Sequence, residues 1–221
     1  MTPTTPQSPA ARPRAPSSGP GGEGAEHDPV PVVGVRTLLD DAGISRSLLR
    51  IAHEIVERTA DPDRLYLVAI PNGGIPLARR LARGLREVAD LSVPVGILDT
   101  TLYRDDLLTT GSRPALRRTE MPSAVDDHIV VLVDDVVKTG RTIRAAMDAL
   151  MDFGRPAAVQ VVGLVDRGHR ELPIKLDYVG KNVPTRAKEQ VQLRSLDGDE
   201  SALELVIIGA PESEREEGED L

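Results

Sequence analysis

The fourteen-residue stretch from Ile129 to Thr142, Ile-Val-Val-Leu-Val-Asp-Asp-Val-Val-Lys-Thr-Gly-Arg-Thr, constrains this chain more than any other part of it. The run Ile129 to Val133 is continuously apolar and mostly β-branched, the pattern of a parallel strand buried on both faces. Two adjacent carboxylates, Asp134 and Asp135, follow and are expected at the strand's carboxyl end. Open α/β sheets collect their ligands there. Ile143, Met147, Leu150 and Met151 then recur at helical spacing, and Gly154 with Pro156 supplies a stop, so the spacing predicts a helix over Arg141–Phe153.

That order of parts has a chemical meaning. Thr139, Gly140 and Thr142 place backbone N–H groups and hydroxyls at the helix start, where unpaired amides and the helix dipole favour a phosphate. The two acids suit the vicinal hydroxyls of a sugar. A single ligand carrying both groups is a ribose 5-phosphate. The spacing is not that of a P-loop, Gly-x-x-x-x-Gly-Lys-Ser/Thr, and no Gly-x-Gly-x-x-Gly opens a helix.

The rest of the chain repeats the strand, loop, helix pattern. Leu48, Ile51, Ala52, Ile55 and Val56 share one face of a helix expected over Ser45–Thr59, with Arg46, Arg50, His53 and Glu57 on the other face. Leu65 to Ile70 reads as a strand, Pro71-Asn72-Gly73-Gly74 as a tight loop, and Ile75 to Ala89 as a helix with Pro76 in its first turn. Strands are expected at Val93–Asp99 and Ala158–Val165, with weaker signals at Gln190–Leu193 and Leu203–Ile208. Between them, Thr101 to Asp127 is long and polar, the mark of an active-site flap or a hairpin extension. Alternating strands and helices imply an α/β fold around a mainly parallel sheet.

The 221 residues suffice for one domain, expected over 30–210. Residues 1–29 are rich in Pro, Ser, Thr and Gly and are expected to be disordered, as is the acidic segment 211–221. Most of the net charge of −8 lies in that acidic segment, so the body is nearly neutral. Residues 166–188 are locally basic: Arg167, Arg170, Lys175, Lys181, Arg186 and Lys188 outnumber Asp166, Glu171 and Asp177. Nucleic-acid binding there depends on placement rather than on global charge. The absence of cysteine excludes disulfides, thiolate catalysis and Cys-ligated zinc. With no secretory signal and no run of about 18 apolar residues, the expected location is the cytoplasm, without a membrane partner.

The segment around Asp134 and Asp135 resembles the phosphoribosyl pyrophosphate (PRPP) motif of type I phosphoribosyltransferases. Further segments narrow the likeness: Arg50-Ile51-Ala52-His53-Glu54, Thr101-Leu102-Tyr103-Arg104-Asp105-Asp106, Val165-Asp166-Arg167-Gly168-His169-Arg170-Glu171-Leu172-Pro173-Ile174 and Asp177-Tyr178-Val179-Gly180-Lys181-Asn182-Val183-Pro184-Thr185. Together, over about 36–208, they are similar to the PyrR family, regulators of pyrimidine operons by transcription attenuation that are also uracil phosphoribosyltransferases.

The resemblance implies a type I phosphoribosyltransferase fold with a flap and hood, and conversion of uracil and PRPP to UMP and pyrophosphate. Asp134 and Asp135 would hold the ribose hydroxyls, and Lys138, Thr139, Gly140, Arg141 and Thr142 the 5-phosphate. Asn72, Gly73 and Gly74 would form the pyrophosphate loop, with Arg104, Asp105 and Asp106 in the flap. Arg104 is carried with the two acids as a catalytic residue. Val165, Asp166 and Arg167 would face uracil. Mg²⁺ would arrive with PRPP rather than in a dedicated protein cage. The regulatory half implies UMP or UTP as effector and pyrimidine leader mRNA as partner, contacted by His53, Arg170, Lys175 and Lys181. It also implies a homo-oligomer, a dimer or larger.

Besides Lys138, which stands where the family commonly has a tyrosine before Thr-Gly-Arg-Thr, two departures from the family pattern are plain. The family's loop after the first core strand usually reads Thr-Arg-Gly, and this chain has Asn72-Gly73-Gly74, without the arginine. Leu49 stands where the family has a threonine four residues before His53. The first departure keeps two alternatives open: a regulator with lost or weak catalysis, and a phosphoribosyltransferase for another nucleobase.

Overall fold

In the computed structural model, residues 34–71, 73–104, 119–186, 188–196 and 202–209 are described. The expectations for 1–29 and 211–221, and most of the polar segment after Tyr103, lie outside them.

Five parallel strands form the central sheet: β2 (Leu65–Ala69), β3 (Val95–Ile97), β4 (Ile129–Val137), β5 (Ala158–Asp166) and β6 (Tyr178–Asn182), in the order β3-β2-β4-β5-β6. Among the described residues three α-helices accompany them: α1 (Asp41–Arg58), α2 (Gly74–Ala89) and α3 (Arg141–Leu150). A second, antiparallel sheet joins β1 (Val35–Leu39), β8 (Leu203–Ile208) and β7 (Gln190–Ser195), in the order β1-β8-β7.

The apolar run in β4 follows from its place in the middle of the sheet. Val131 and Val133 pack with α1, α2 and β8, whereas Val130 and Leu132 pack with α3 residues Ile143, Ala146 and Leu150. Side chains alternate between faces along a strand, so a strand covered on both sides must be apolar at every position. The arrangement puts the β2 and β4 carboxyl ends side by side, with register Leu65↔Ile129 through Ala69↔Val133.

Several boundaries differ from expectation. Helix α1 begins at Asp41 because Asp40 caps it, its Oδ1 accepting the Gly43 N–H at 2.7 Å. Asp40→Ala is expected to destabilise the fold by about 1 kcal/mol and to lower Tm by roughly 2–4 °C in a thermal melt. Strand β3 is shorter than expected. The α-helical part of α3 ends at Leu150, followed by a 3₁₀ turn at Met151–Phe153.

The largest correction concerns the acids. Strand β4 does not stop at Val133 but runs to Val137, because β5 continues beside it and pairs Asp134↔Gly163, Val136↔Val165 and Val137↔Asp166. Asp134 and Asp135 therefore sit inside the second half of the strand. Their backbone is fixed by the ladder rather than by a loop.

Two strands escaped the sequence pattern. β1 is largely exposed and is ordered by antiparallel pairing with β8. β6 is held by β5 on one side and by two arginines of α1. Arg50 donates to the Val179 and Gly180 carbonyls at 2.9 and 2.8 Å, and Arg58 donates to the Asp177 carbonyl at 3.0 Å while lying 5.2 Å from the Tyr178 ring centre.

Candidate active site

The site forms where β2 and β4 end. Asp134 is 6 % exposed, and its Oδ1 accepts the Asp135 N–H at 3.0 Å. Burial pushes its carboxyl well above the usual carboxylate range, and the neighbouring Asp135 adds to the rise through its charge and a side-chain hydrogen bond. The charge of Arg104 opposes that shift. Arg104, brought in directly after the 3₁₀ turn Thr101–Tyr103, therefore acts on Asp134 from a distant part of the sequence.

That turn is well anchored. Asp99 Oδ1 accepts both the N–H and the hydroxyl of Thr101 at 2.9 and 2.5 Å, and the Thr119 hydroxyl accepts the Asp99 N–H at 3.1 Å. Ile97 and Glu120 exchange two backbone hydrogen bonds of 2.8 Å. The Tyr103 hydroxyl donates to Asp152, beyond the far end of α3.

Asp135 is half-buried beneath the loop between β2 and α2. A Cβ on Gly73 would overlap the Asp135 carboxylate and its Cβ, and a Cβ on Gly74 would overlap the main-chain carbonyl of Val133. The Gly74 N–H donates to Ile70 O at 3.1 Å, and the Ile70 N–H to Val133 O at 2.9 Å, so the loop is drawn tightly over the end of β4. The two glycines thus serve close approach of one backbone to another. Asn72, Asp105 and Asp106 lie outside the described residues.

Beyond Val137 the chain enters the loop expected to receive a phosphate. Gly140, at φ 91°, makes the turn that starts α3. Lys138 is exposed, while Thr139, Arg141 and Thr142 are half-buried. The loop does not stand alone. The Thr139 carbonyl accepts the N–H groups of Glu171 and Leu172 at 3.0 and 3.1 Å, and Arg141 Nε donates to Glu171 Oε2 at 2.7 Å.

The Val165–Arg167 stretch ends β5 one strand away. Val165 is buried, and Asp166 uses both carboxylate oxygens locally, accepting the Gly168 N–H at 3.0 Å and Arg170 Nη2 at 2.8 Å. The Arg167 N–H donates to Val137 O at 3.1 Å. Its guanidinium is buried against a different segment, donating to Thr185 Oγ1 at 3.0 Å and to the carbonyls of Arg186 and Glu189 at 3.3 and 2.6 Å.

The four residues assigned to RNA do not share one environment. His53 and Lys175 are exposed. Lys181 is exposed with its amine donating to Leu38 O at 3.2 Å. Arg170 points inward, donating to Ile174 O, Val137 O and Lys138 O at 3.0, 3.3 and 2.6 Å as well as to Asp166. Glu171, Thr185 and Glu189 were given no site role from sequence, because the arginines they hold, Arg141 and Arg167, lie 18 or more residues away and carry no local pattern.

Two adjacent carboxylates, a helix start with its backbone N–H groups, and a glycine loop beside them have the chemistry that suits a sugar phosphate bearing a leaving group. Comparisons with known proteins agree. Residues 34–197 match the family described as phosphoribosyl transferase domain. The chain is 58 % identical over 165 residues to the bifunctional protein PyrR of Pelotomaculum thermopropionicum, covering 74 % of this chain and 91 % of that protein. It is 53 % identical over 176 residues to the bifunctional protein PyrR of Streptomyces coelicolor, covering 79 % and 90 %. In fold it is similar to a hypoxanthine phosphoribosyltransferase of Trypanosoma cruzi, with a TM-score of 0.59, 22 % identity, and 78 % and 94 % of the two chains covered. This chain belongs to the phosphoribosyltransferases and, among them, to the PyrR family.

Proposed function

We propose that this protein transfers the phosphoribosyl group of PRPP to N1 of uracil, giving UMP and pyrophosphate, and that with a uridine nucleotide bound it recognises the leader RNA of a pyrimidine operon. The observation that carries the enzymatic half is the convergence of three parts on the ends of β2 and β4: the Asp134-Asp135 pair, the loop 138–142, and the loop ending in Gly73-Gly74.

The chemistry asks little covalent work of the protein. As pyrophosphate departs, positive charge develops on the ribose and negative charge on the leaving group, so rate comes from positioning and from charges already in place. Asp135, with the main chain of β4 holding it rigidly, accepts the ribose hydroxyls beside Asp134. The amides at the start of α3 and the hydroxyls of Thr139 and Thr142 receive the 5-phosphate. Arg104 lies close enough for its charge to reach Asp134 and supplies a cation on the pyrophosphate side. The Gly73-Gly74 loop offers backbone in place of the family's arginine. The end of β5, Val165 to Arg167, faces the base.

The carboxylate oxygens of Asp134 and Asp135 suit a hard cation, so Mg²⁺ carried in with PRPP would be held beside them and would supply positive charge to balance the diphosphate. Among the described residues no group of three or more His, Cys, Asp or Glu comes together as a protein cage.

For the regulatory half, the exposed His53, Lys175 and Lys181 provide groups for phosphates and unpaired bases of an RNA loop. Binding is reciprocal: if UMP tightens RNA binding, RNA tightens UMP binding by the same factor. The protein works in the cytoplasm as a homo-oligomer. Among the described residues no helix is long and apolar enough to cross a membrane.

The test is an incubation of the purified protein with PRPP and Mg²⁺ and, separately, uracil, orotate, xanthine and hypoxanthine, following pyrophosphate release. Turnover with uracil alone is expected. Turnover with a purine base instead would reassign the substrate, and silence with all four would leave a regulator without catalysis. An RNA gel shift that UMP does not strengthen would remove the attenuation role.

A further inference from the structure

A polar network outside the reacting groups joins the phosphate loop to the segment 170–174. Arg170 donates to the main-chain oxygens of Val137 and Lys138, where the loop begins, at 3.3 and 2.6 Å. The N–H groups of Glu171 and Leu172 both bond to Thr139 O, and the Glu171 carboxylate holds Arg141. On its other side the Arg170 guanidinium binds Asp166 at the end of β5 and the carbonyl of Ile174, the residue before the exposed Lys175. The chain is pinned here despite its turn: His169 has φ 58°, a left-handed backbone that a side-chain-bearing residue adopts only when its surroundings impose it.

These contacts make one body of three surfaces: the loop for the 5-phosphate, the strand end for the base, and the strip presenting Lys175. An arginine whose donors reach three carbonyls and a carboxylate inside the protein is poorly disposed to grip an RNA phosphate as well. Resting on the function proposed above, we propose that Arg170 is a positioning residue that transmits nucleotide occupancy of the 138–142 loop to the basic RNA-facing surface, and is not itself an RNA contact.

Direct contact and transmission differ in a measurable way. Each phosphate contact contributes about 0.7–0.9 to the slope of log affinity against log salt, whereas a residue acting through the loop contributes nothing to that slope. Fluorescence anisotropy with a labelled pyrimidine-leader stem-loop, over a series of salt concentrations with and without UMP, separates them for the wild type, Lys175→Gln and Arg170→Gln. UMP is expected to strengthen wild-type binding by about tenfold, within the usual range of coupling between sites. Lys175→Gln should lower the salt slope by about 0.7–0.9 and keep the UMP enhancement. Arg170→Gln should keep the wild-type slope and retain less than about a twofold enhancement. A lowered slope with enhancement intact in Arg170→Gln would overturn the proposal.

Hydrogen exchange provides a readout independent of RNA. UMP should slow exchange of the Glu171 and Leu172 amides in the wild type and should not do so in Arg170→Gln. If UMP leaves these amides unchanged in the wild type, the transmission claim fails. If they respond while the RNA does not bind at all, the link between nucleotide and loop stands and the regulatory reading falls.

Discussion

Asp135→Asn is expected to lower kcat/KM for PRPP by about 10²–10³-fold, the loss typical of removing one preorganised electrostatic contact to a transition state, while the protein stays folded. The side chain keeps its size, and the backbone of β4 is held by pairing on both sides, with Leu67↔Val131 on β2 and Asp134↔Gly163 on β5. What changes is the charge and the ability to accept from two hydroxyls at once.

Stability should move in the opposite direction from activity. Asp134 has its carboxyl raised by burial and by Asp135, so between its unfolded and folded values the native state binds a proton that the unfolded chain does not. Stability therefore falls as pH rises through that interval, and the penalty is complete once pH has passed the folded value. Asp134→Asn should remove the penalty, raising Tm at pH 7 by roughly 2–4 °C if the gain is about 1 kcal/mol, with little gain in acid. Asp135→Asn should share part of the gain by removing the neighbouring charge. Thermal melts across pH alongside the turnover assay test both statements. Full activity in Asp135→Asn would place the ribose elsewhere.

The second large effect concerns the loop that lacks the family's arginine. Gly73→Ala is expected to raise KM for PRPP and lower kcat/KM by about 10²-fold, since misplacing a catalytic group by about 1 Å has that effect. The added carbon would occupy the space of the Asp135 carboxylate, so the acid must move. Gly73→Arg should behave like Gly73→Ala, because its Cβ meets the same obstacle before its guanidinium can reach an anion. Gly74→Ala differs: its obstacle is the Val133 carbonyl, a main-chain atom that cannot rotate aside, and a stability loss of about 1–3 kcal/mol is expected. Steady-state kinetics and melts of the three variants separate these outcomes. A gain of activity in Gly73→Arg would show that the missing charge, and not the close packing, is what matters at this position.

What the sequence made legible was local. The strand, acids, loop and helix from Ile129 onward are contiguous, and their order alone implied a sugar phosphate site at a sheet end. The Asp-Arg-Gly-His-Arg-Glu run identified the family but not the direction of its side chains. Arg170 was assigned to RNA, yet its guanidinium faces Val137, Lys138, Ile174 and Asp166, a choice decided by carbonyls up to 33 residues away. β6 was missed because Gly180, Lys181 and Asn182 carry no strand pattern and gain their order from β5, Arg50 and Arg58. Gly73 was read as an absent cation. Its positive role, admitting Asp135 beneath the loop, depends on the approach of β2 to β4 that no single segment encodes.

The pairing of β1 with β8 bears on how the chain reaches this state. Val35 lies opposite Ile208, and Gly209 N–H bonds to Gly34 O at 3.2 Å, so the opening strand of the body has its sheet partner some 170 residues later. Closing so long a loop is entropically unfavourable and slow. During synthesis β1 must wait until β8 has left the ribosome, whereas α1, which packs mainly against α2, need not. The parallel βα units from β2 to β5 can assemble meanwhile, and the end-to-end strand pair is the step that completes the fold.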